Sequence, residues 1–323
     1  MTDASAKPAP AGLPFARVGI IGLGLIGSSM ARALRKSGSA KAIVAIDRDA
    51  AVRERVVALG LADAITGDAA AGVEGCDLVI LCVPVLAYGA LAEIIGPHLA
   101  PGAIVSDVGS VKGSVVRDVG PHLPEGVHFV PAHPVAGTEH SGPDAGFAEL
   151  FANRWSILTP PAGTDPAAIE RVHALWSALG SNVEIMTPEH HDLVLAITSH
   201  VPHLIAYNIV GTAADMEAVT ESEVIKFSAG GFRDFTRIAA SDPTMWRDVF
   251  LTNKDAVLEM LGRFNEDLAA LQRMIRWGDG EGLHALFTRT RAIRRGIIAS
   301  GQETAAPDFG RHAGLAAPKD PAG

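Results

Sequence analysis

The sequence predicts an α/β protein in which a doubly wound parallel sheet is followed by an all-helical domain. Three observations carry that prediction. Short apolar runs of strand type alternate with helical patterns from about residue 15 to residue 186. The first of these runs feeds directly into Gly22-x-Gly24-x-x-Gly27, and helical spacing begins at once. Beyond Thr187-Pro188-Glu189 the chain reads as helix after helix, with no strand pattern, to about residue 300.

The elements follow in order. Apolar and small residues recur at helical spacing over 25–36, and Gly38 ends that helix. A second strand over 42–46 leads through Asp47-Arg48-Asp49 into a helix reaching Leu59-Gly60. Residues 77–84 read as a buried strand stopped by Pro84, with a helix following to about His98. Another strand spans 103–107, followed by a loop at Val108-Gly109-Ser110 and a helix from Val111. Strands over 128–131 and 155–159 come next, then a helix over 167–179 and a last short strand over 183–186. Brief, wholly apolar strands suit burial on both faces, as in a parallel sheet.

At Thr187 an N-cap residue is followed by proline at the first helical position, which marks a helix start. The domain division is therefore 15–186 and 187–300. The last helices, around 257–275 and 283–298, carry apolar faces wider than one helical layer needs, which a homodimer core would use. Residues 1–14 read as a flexible lead-in without the apolar core of a signal peptide. Residues 301–323 turn to Gly, Ala, Pro and polar types and read as a disordered tail.

Composition narrows the class. A chain of 323 residues suggests about two domains. With 48 % apolar and 20 % charged residues it is globular rather than disordered. A net charge of −9, without a Lys/Arg cluster, argues against a nucleic-acid partner. No apolar run approaches the ~20 residues that cross a bilayer, so no membrane association and a cytoplasmic location are expected. The two cysteines, Cys76 and Cys82, flank one strand and lie roughly 20 Å apart when extended, too far to pair.

The glycine turn has the form of a Rossmann phosphate-binding turn. Gly22 permits the tight turn, Gly24 lets a pyrophosphate approach the backbone, and Gly27 lets helix and strand pack closely. The N–H groups and dipole of the following helix, from Leu25 and Ile26 onward, face the phosphates. Asp47 sits where a ribose-binding carboxylate belongs, and it favours NAD over NADP by repelling a 2′-phosphate. Arg48, directly after it, could pair such a phosphate and pulls the other way. Val83 and Pro84, past the next strand, are expected to line the cofactor.

The reacting groups should sit on loops at the same sheet edge. Ser110 starts a helix and is either an N-cap or a ligand to substrate. His133, at a strand end and held by Pro134, is placed as a general base with a pKa near working pH. Glu189-His190-His191-Asp192 and Ser199-His200-Val201-Pro202-His203 raise the question of a metal. There is no HExxH and no Cys ligand nearby, so no metal is expected. Most of these histidines read as surface or capping residues, with His203 the one expected to face a ligand. Arg233 and Arg237 could each grip a carboxylate or serve as surface ion pairs. Trp246, in the first turns of a helix capped by Asp242, is either core or pocket wall.

Six motifs in order now match a family: Gly22 to Gly27, Asp107-x-Gly-Ser-Val-Lys112, His133-Pro-x-Ala-Gly-Thr-Glu139, Ser199-His-x-Pro-His203, Gly230-Gly-Phe-x-Asp-Phe-Thr-Arg237 and Ser241-Asp-Pro-x-Met-Trp246. From about Val18 to Arg295 the chain resembles the prephenate/arogenate dehydrogenases of tyrosine biosynthesis. The resemblance implies a Rossmann domain and a helical dimerisation domain with the active site between them. It implies that His133 accepts the proton of a ring hydroxyl while hydride leaves the same carbon for the nicotinamide, after which the ring carboxylate departs as CO₂. Ser110 would bond that hydroxyl or His133. Arg237 would hold a substrate carboxylate, His203 and Thr138 would lie near the side-chain end, and Trp246 would line the pocket. Asp192, Glu139 and Asp234 would form an ionic network at the entrance. With so few residues at either end, neither the fused mutase nor the regulatory domain that some relatives carry is expected.

Two other classes compete with this reading. β-Hydroxyacid dehydrogenases resemble one another in a Lys followed four residues later by Asn. Here Lys226 is followed by Gly230 and Lys254 by Leu258, so the pair is missing. A non-enzymatic NAD-sensing protein would not need His133, Ser110 and Arg237 to converge. Whether the small-molecule substrate is prephenate or arogenate stays open at this stage.

Overall fold

The computed structural model describes residues 13–138, 140–217 and 229–299. The expected tail, all of the lead-in before Leu13, Glu139 and Lys226 lie outside the described residues. By compactness the chain divides into two units, one ending at Met260 and the other beginning at Leu261.

Six strands form the larger sheet: β1 (Val18–Ile21), β2 (Ile43–Ile46), β3 (Ala64–Thr66), β4 (Leu78–Leu81), β5 (Ile104–Asp107) and β6 (His128–Phe129). They run in the order β3-β2-β1-β4-β5-β6, every pair parallel. The order reverses between β1 and β4, and ligands of open α/β sheets bind at such a crevice beyond the strand ends. Alternate strand residues face opposite layers, as a two-residue period requires. Val18, Ile20, Leu78 and Ile80 pack in one layer with Met30, Leu34 and Trp176. Ile21, Val79 and Leu81 pack in the other with Tyr88, Ile95 and Val115.

The connecting helices are α1 (Leu25–Ser37), α2 (Ala50–Ala58), α3 (Ala69–Val73), α4 (Tyr88–Ile95) and α5 (Gly113–Val119). Gly38 ends α1 in the left-handed conformation, φ 68°, as expected of that residue. The pair β3–α3 is not anticipated by the sequence. Its strand is half-buried and lacks an apolar run, and its helix depends on Asp68, whose carboxylate accepts from the N–H groups of Ala70 and Ala71.

The sheet is also not continuous. After β6 the chain leaves the parallel sheet at Val130-Pro131, where proline has no N–H to extend a ladder. It enters a second sheet of β7 (Ala132–Pro134), β8 (Trp155–Leu158) and β9 (Asn182–Ile185). β7 runs antiparallel to β8, with His133 opposite Ile157. His133 therefore sits within a short strand rather than on a loop.

After α6 (Pro166–Ala178) and β9, every described element is helical. α7 (Pro188–Leu195) passes through a π-helical turn at Ala196–His200 into α8 (Val201–Glu217). Then come α9 (Gly230–Thr236), a 3-10 turn at Arg237–Ala240, α10 (Pro243–Thr252), α11 (Lys254–Trp277) and α12 (Gly280–Ala299). Contrary to the expectation from composition, the run Pro188–Met216 is long and apolar enough to cross a bilayer. It nonetheless buries His191, Asp192 and His200 within the protein. On α11 and α12 the large residues Ile275, Trp277, Phe287 and Ile293 are exposed on the single chain.

Candidate active site

The glycine turn has the geometry its sequence demands. Gly22 has φ +95°, and a Cβ there would meet the Cys82 carbonyl oxygen at 2.6 Å. A Cβ on Gly27 would lie 1.9 Å from the Gly22 carbonyl oxygen, so only glycine lets α1 approach β1 this closely. Gly24, by contrast, has nothing within 4 Å of its Cβ position, and no side chain caps the start of α1. That open approach to uncapped N–H groups could hold a pyrophosphate. Asp47 closes the turn by accepting from Leu23 N at 2.9 Å through Oδ2 and from Asp49 N at 3.0 Å through Oδ1. Each carboxylate oxygen retains a second lone pair, enough for ribose hydroxyls. Arg48 and Pro84 are exposed, while Leu25 is buried and Ile26 and Val83 are half-buried.

Across the edge, β5 ends in Asp107, which is fully buried. Its carboxylate receives the Lys112 ammonium, Gly109 N at 2.8 Å and Ala132 N at 3.1 Å. Lys112 Nζ also donates to the Ala132 carbonyl at 2.8 Å. Burial pushes the Asp107 pKa up and the Lys112 pKa down, and the attraction between the two acts against both shifts. The pair thus ties the loop after β5 to β7, one residue from His133.

His133 is 7 % exposed, and its Nδ1 lies 2.8 Å from His191 Nε2. His191 is fully buried, and its Nδ1 lies 2.8 Å from Asp192 Oδ1. Asp192 also accepts from Lys112 N at 2.7 Å and Gly113 N at 2.8 Å, capping the start of α5 from another helix. Asp192 is thus a buried anchor for the start of α5, and Ser110 is not the cap of that helix. Asp234, on α9, is exposed. Burial first, then the neighbouring His191, Lys112 and His200, hold the His133 pKa well below the usual imidazole value.

The π turn brings a second set of rings to the same place, a common use of such turns. His200 is fully buried, where the sequence suggested a surface residue. Asn253 Nδ2 lies 2.9 Å from the Asp192 carbonyl, which can only accept, so that atom is the amide nitrogen. The same nitrogen, 3.1 Å from His200 Nδ1, makes Nδ1 the acceptor and leaves the hydrogen on Nε2. Among the described residues that Nε2 reaches no hydrogen-bond partner of normal geometry, although the Ser110 main chain lies close enough to favour a charged ring. Burial outweighs this and pushes the His200 pKa down to about 4.

His203 Nδ1 donates to the Ser199 carbonyl at 2.8 Å, and its ring stacks on Trp246 with centroids 3.7 Å apart. Trp246 packs with Val111 and Val249, joining α10 to the loop after β5, and its buried Nε1 has no hydrogen-bond partner among the described residues. The Arg237 guanidinium is near enough to His203 to add to the effect of burial in lowering its pKa. The structure therefore brings His133, His203, Trp246, Arg237 and the Ser110 loop into one neighbourhood. The Thr138 hydroxyl serves its own turn, accepting from His140 N at 3.3 Å. His191, His200 and Asn253 are the residues sequence reasoning missed as site components. Two of them sat inside motifs already singled out.

A Rossmann-type glycine turn together with a buried imidazole held below its usual pKa points to a nicotinamide-dependent dehydrogenase. Residues 30–185 match the family model of the prephenate dehydrogenase nucleotide-binding domain, and 187–289 that of the prephenate dehydrogenase dimerization domain. The cyclohexadienyl dehydrogenase of Zymomonas mobilis is 44 % identical over 87 % of this chain and 95 % of its own. The prephenate dehydrogenase of Bacillus subtilis is 35 % identical over 86 % of this chain and 75 % of its own. Prephenate dehydrogenase from Aquifex aeolicus, solved with hydroxyphenyl propionate and NAD⁺, superposes with a TM-score of 0.82 at 36 % identity, covering 87 % of this chain and 98 % of that one. The chain belongs to the prephenate dehydrogenase family.

Proposed function

We infer that this protein carries out the NAD-dependent oxidative decarboxylation of prephenate, arogenate or both in tyrosine biosynthesis. The observation that carries the reading is a buried imidazole in the site with one nitrogen engaged and the other left as a base. His133 Nδ1 is committed to His191, so Nε2 is the atom that can take a proton. NAD, held at the glycine turn, would supply the hydride acceptor for the hydroxyl-bearing ring carbon. His133 Nε2 takes the hydroxyl proton as that hydride leaves. Loss of the ring carboxylate as CO₂ sends its electron pair into the ring and on to the same oxygen. His133 can then return its proton to that phenolate, which leaves the protein as it began.

The remaining residues bind and orient. Gly22, Gly24, Leu25, Ile26 and Gly27 would hold the pyrophosphate. Asp47 would hold the ribose, Arg48 would lie at its rim, and Val83 and Pro84 would line the cofactor. Ser110 would bond the ring hydroxyl, Arg237 would take a substrate carboxylate, and Thr138, His203 and Trp246 would bound the side-chain end. The exposed apolar residues of α11 and α12 support a homodimer built on those helices. The two free cysteines fit a reducing cytoplasm. The family matches, over 30–185 and 187–289, support a division into a cofactor domain over 15–186 and a helical domain over 187–300. Steady-state kcat/KM for prephenate and arogenate, each with NAD and NADP, tests the reading. Turnover of at least one substrate, with NAD preferred, is expected; no reduced cofactor from either would sink it.

A further inference from the structure

We infer that Asp192 and His191 form a relay behind His133, positioning residues that fix its tautomer and stabilise it when it carries the substrate proton. The inference rests on the reading of His133 as the base, and donors and acceptors decide it. Three donors converge on Asp192: Lys112 N, Gly113 N and His191 Nδ1, at 2.7, 2.8 and 2.8 Å. A carboxylate held by two main-chain N–H groups can only accept, so His191 carries its hydrogen on Nδ1. His191 Nε2 is then a bare lone pair, and the 2.8 Å contact to His133 Nδ1 requires the hydrogen to sit on His133. His133 Nε2 is therefore unprotonated. Every tautomer along the chain follows from the one group that cannot donate.

The arrangement is rigid. Asp192 is pinned by the start of α5, and its own carbonyl accepts from Asn253. The two rings meet edge to face, 68° apart with centroids at 5.0 Å, and neither can turn without losing a buried hydrogen bond.

The surroundings explain why a counter-charge is needed. His133 faces burial, the Lys112 ammonium from the start of α5, His191 from α7 and His200 from the π turn, all of which disfavour a charged ring. The opposing negative charges are Asp192 and Asp107, both of which favour protonation of His191. Asp107 is already paired to Lys112. Asp192 is left as the anion that stabilises an imidazolium at His133, acting through the polarisable His191 ring. The chemical step stays balanced with a single transfer. The substrate O–H bond breaks and an N–H bond forms at His133 Nε2, while the Nδ1–H of His133 keeps its hydrogen bond to His191. No proton leaves the relay.

Asp192→Asn, His191→Gln and His191→Leu, each in the full-length protein beside His133→Asn, test this. In Asp192→Asn, the new side-chain amide donating to His191 Nδ1 would invert both tautomers and place the hydrogen on His133 Nε2. There kcat should fall roughly 10³-fold with KM little changed. The acid limb of kcat/KM should move to lower pH, because the lost carboxylate had favoured the imidazolium. His191→Gln can still accept from His133 Nδ1 and should keep more activity than His191→Leu. A structural role alone would lower thermal stability and leave both the limb and the Gln/Leu order unmoved. Should Asp192→Asn not fold, ¹⁵N chemical shifts of His133 in the unaltered protein decide the matter: protonated Nδ1 with bare Nε2 supports the relay, and the reverse overturns it. If His133→Asn abolishes turnover while folded His191→Gln and Asp192→Asn retain it with an unmoved limb, the relay is wrong and the base stands. If His133→Asn stays active, the base reading itself has failed.

Discussion

Replacing Asp47 by serine perturbs the cofactor end of the site at one atom pair. The carboxylate accepts from Leu23 N and Asp49 N and has one lone pair on each oxygen for a ribose hydroxyl. A hydrogen bond to a charged group contributes about 1.5–3 kcal/mol, so losing its share of ribose binding should cost NAD about 2 kcal/mol in kcat/KM. The opposite change applies to NADP. A carboxylate facing a 2′-phosphate at roughly 4–6 Å, near a protein surface, repels it by about 3–4 kcal/mol per unit charge before screening. Taking half of that after screening by salt, the NADP/NAD ratio of kcat/KM should rise on the order of 10³-fold. Initial rates at saturating substrate with each cofactor measure it. A thermal melt guards against simple loss of the turn, because serine can satisfy only one of the two N–H groups. An unchanged ratio in a folded variant would refute the assignment of Asp47 as the discriminator.

Two further outcomes follow from the buried charges. His200 has its pKa depressed to about 4 from an ordinary 6.5, so the folded protein binds fewer protons than the unfolded chain across that interval. The contribution is complete above about pH 6.5 and is lost as the pH falls towards 4, about 3 kcal/mol in all at ~1.4 kcal/mol per pH unit. His133 and His191 are shifted the same way and add to it. Urea midpoints should therefore drop between pH 7.5 and 5; a flat or rising profile contradicts this. Lys112→Met should cost about 3–5 kcal/mol, because it strands Asp107 as an unpaired buried charge. The double variant with Asp107→Asn should recover part of that loss in the same urea titration, and a single variant as stable as the parent would count against an ionised pair.

How much of this was legible depends on how local each cause is. Gly22, Gly24 and Gly27 announce themselves because a positive φ, an open approach and a close contact each demand glycine within one turn of chain. Asp47 is legible for the same reason, one strand further on. β3 was hidden because a three-residue edge strand needs no apolar run, and β7 because prolines bracket it. His191 and His200 read as surface histidines because what buries them comes from elsewhere in the sequence. His191 meets a ring 58 residues away, and His200 an amide 53 residues away. Asp192 likewise reads as one acid among several at the entrance until the start of α5, 80 residues upstream, is seen to rest on it. Spacing within a motif carries none of that information.

Everything proposed for this site turns on one buried base driving an oxidation coupled to loss of CO₂. The stoichiometry of reduced cofactor and released CO₂ from prephenate or arogenate, measured for the unaltered protein and for His133→Asn, probes that coupling without intermediaries. Equal amounts of NADH and CO₂ with a 4-hydroxyphenyl product, and loss of both in the variant, are the expected result. NADH formed without CO₂, or turnover that survives in the variant, would contradict it.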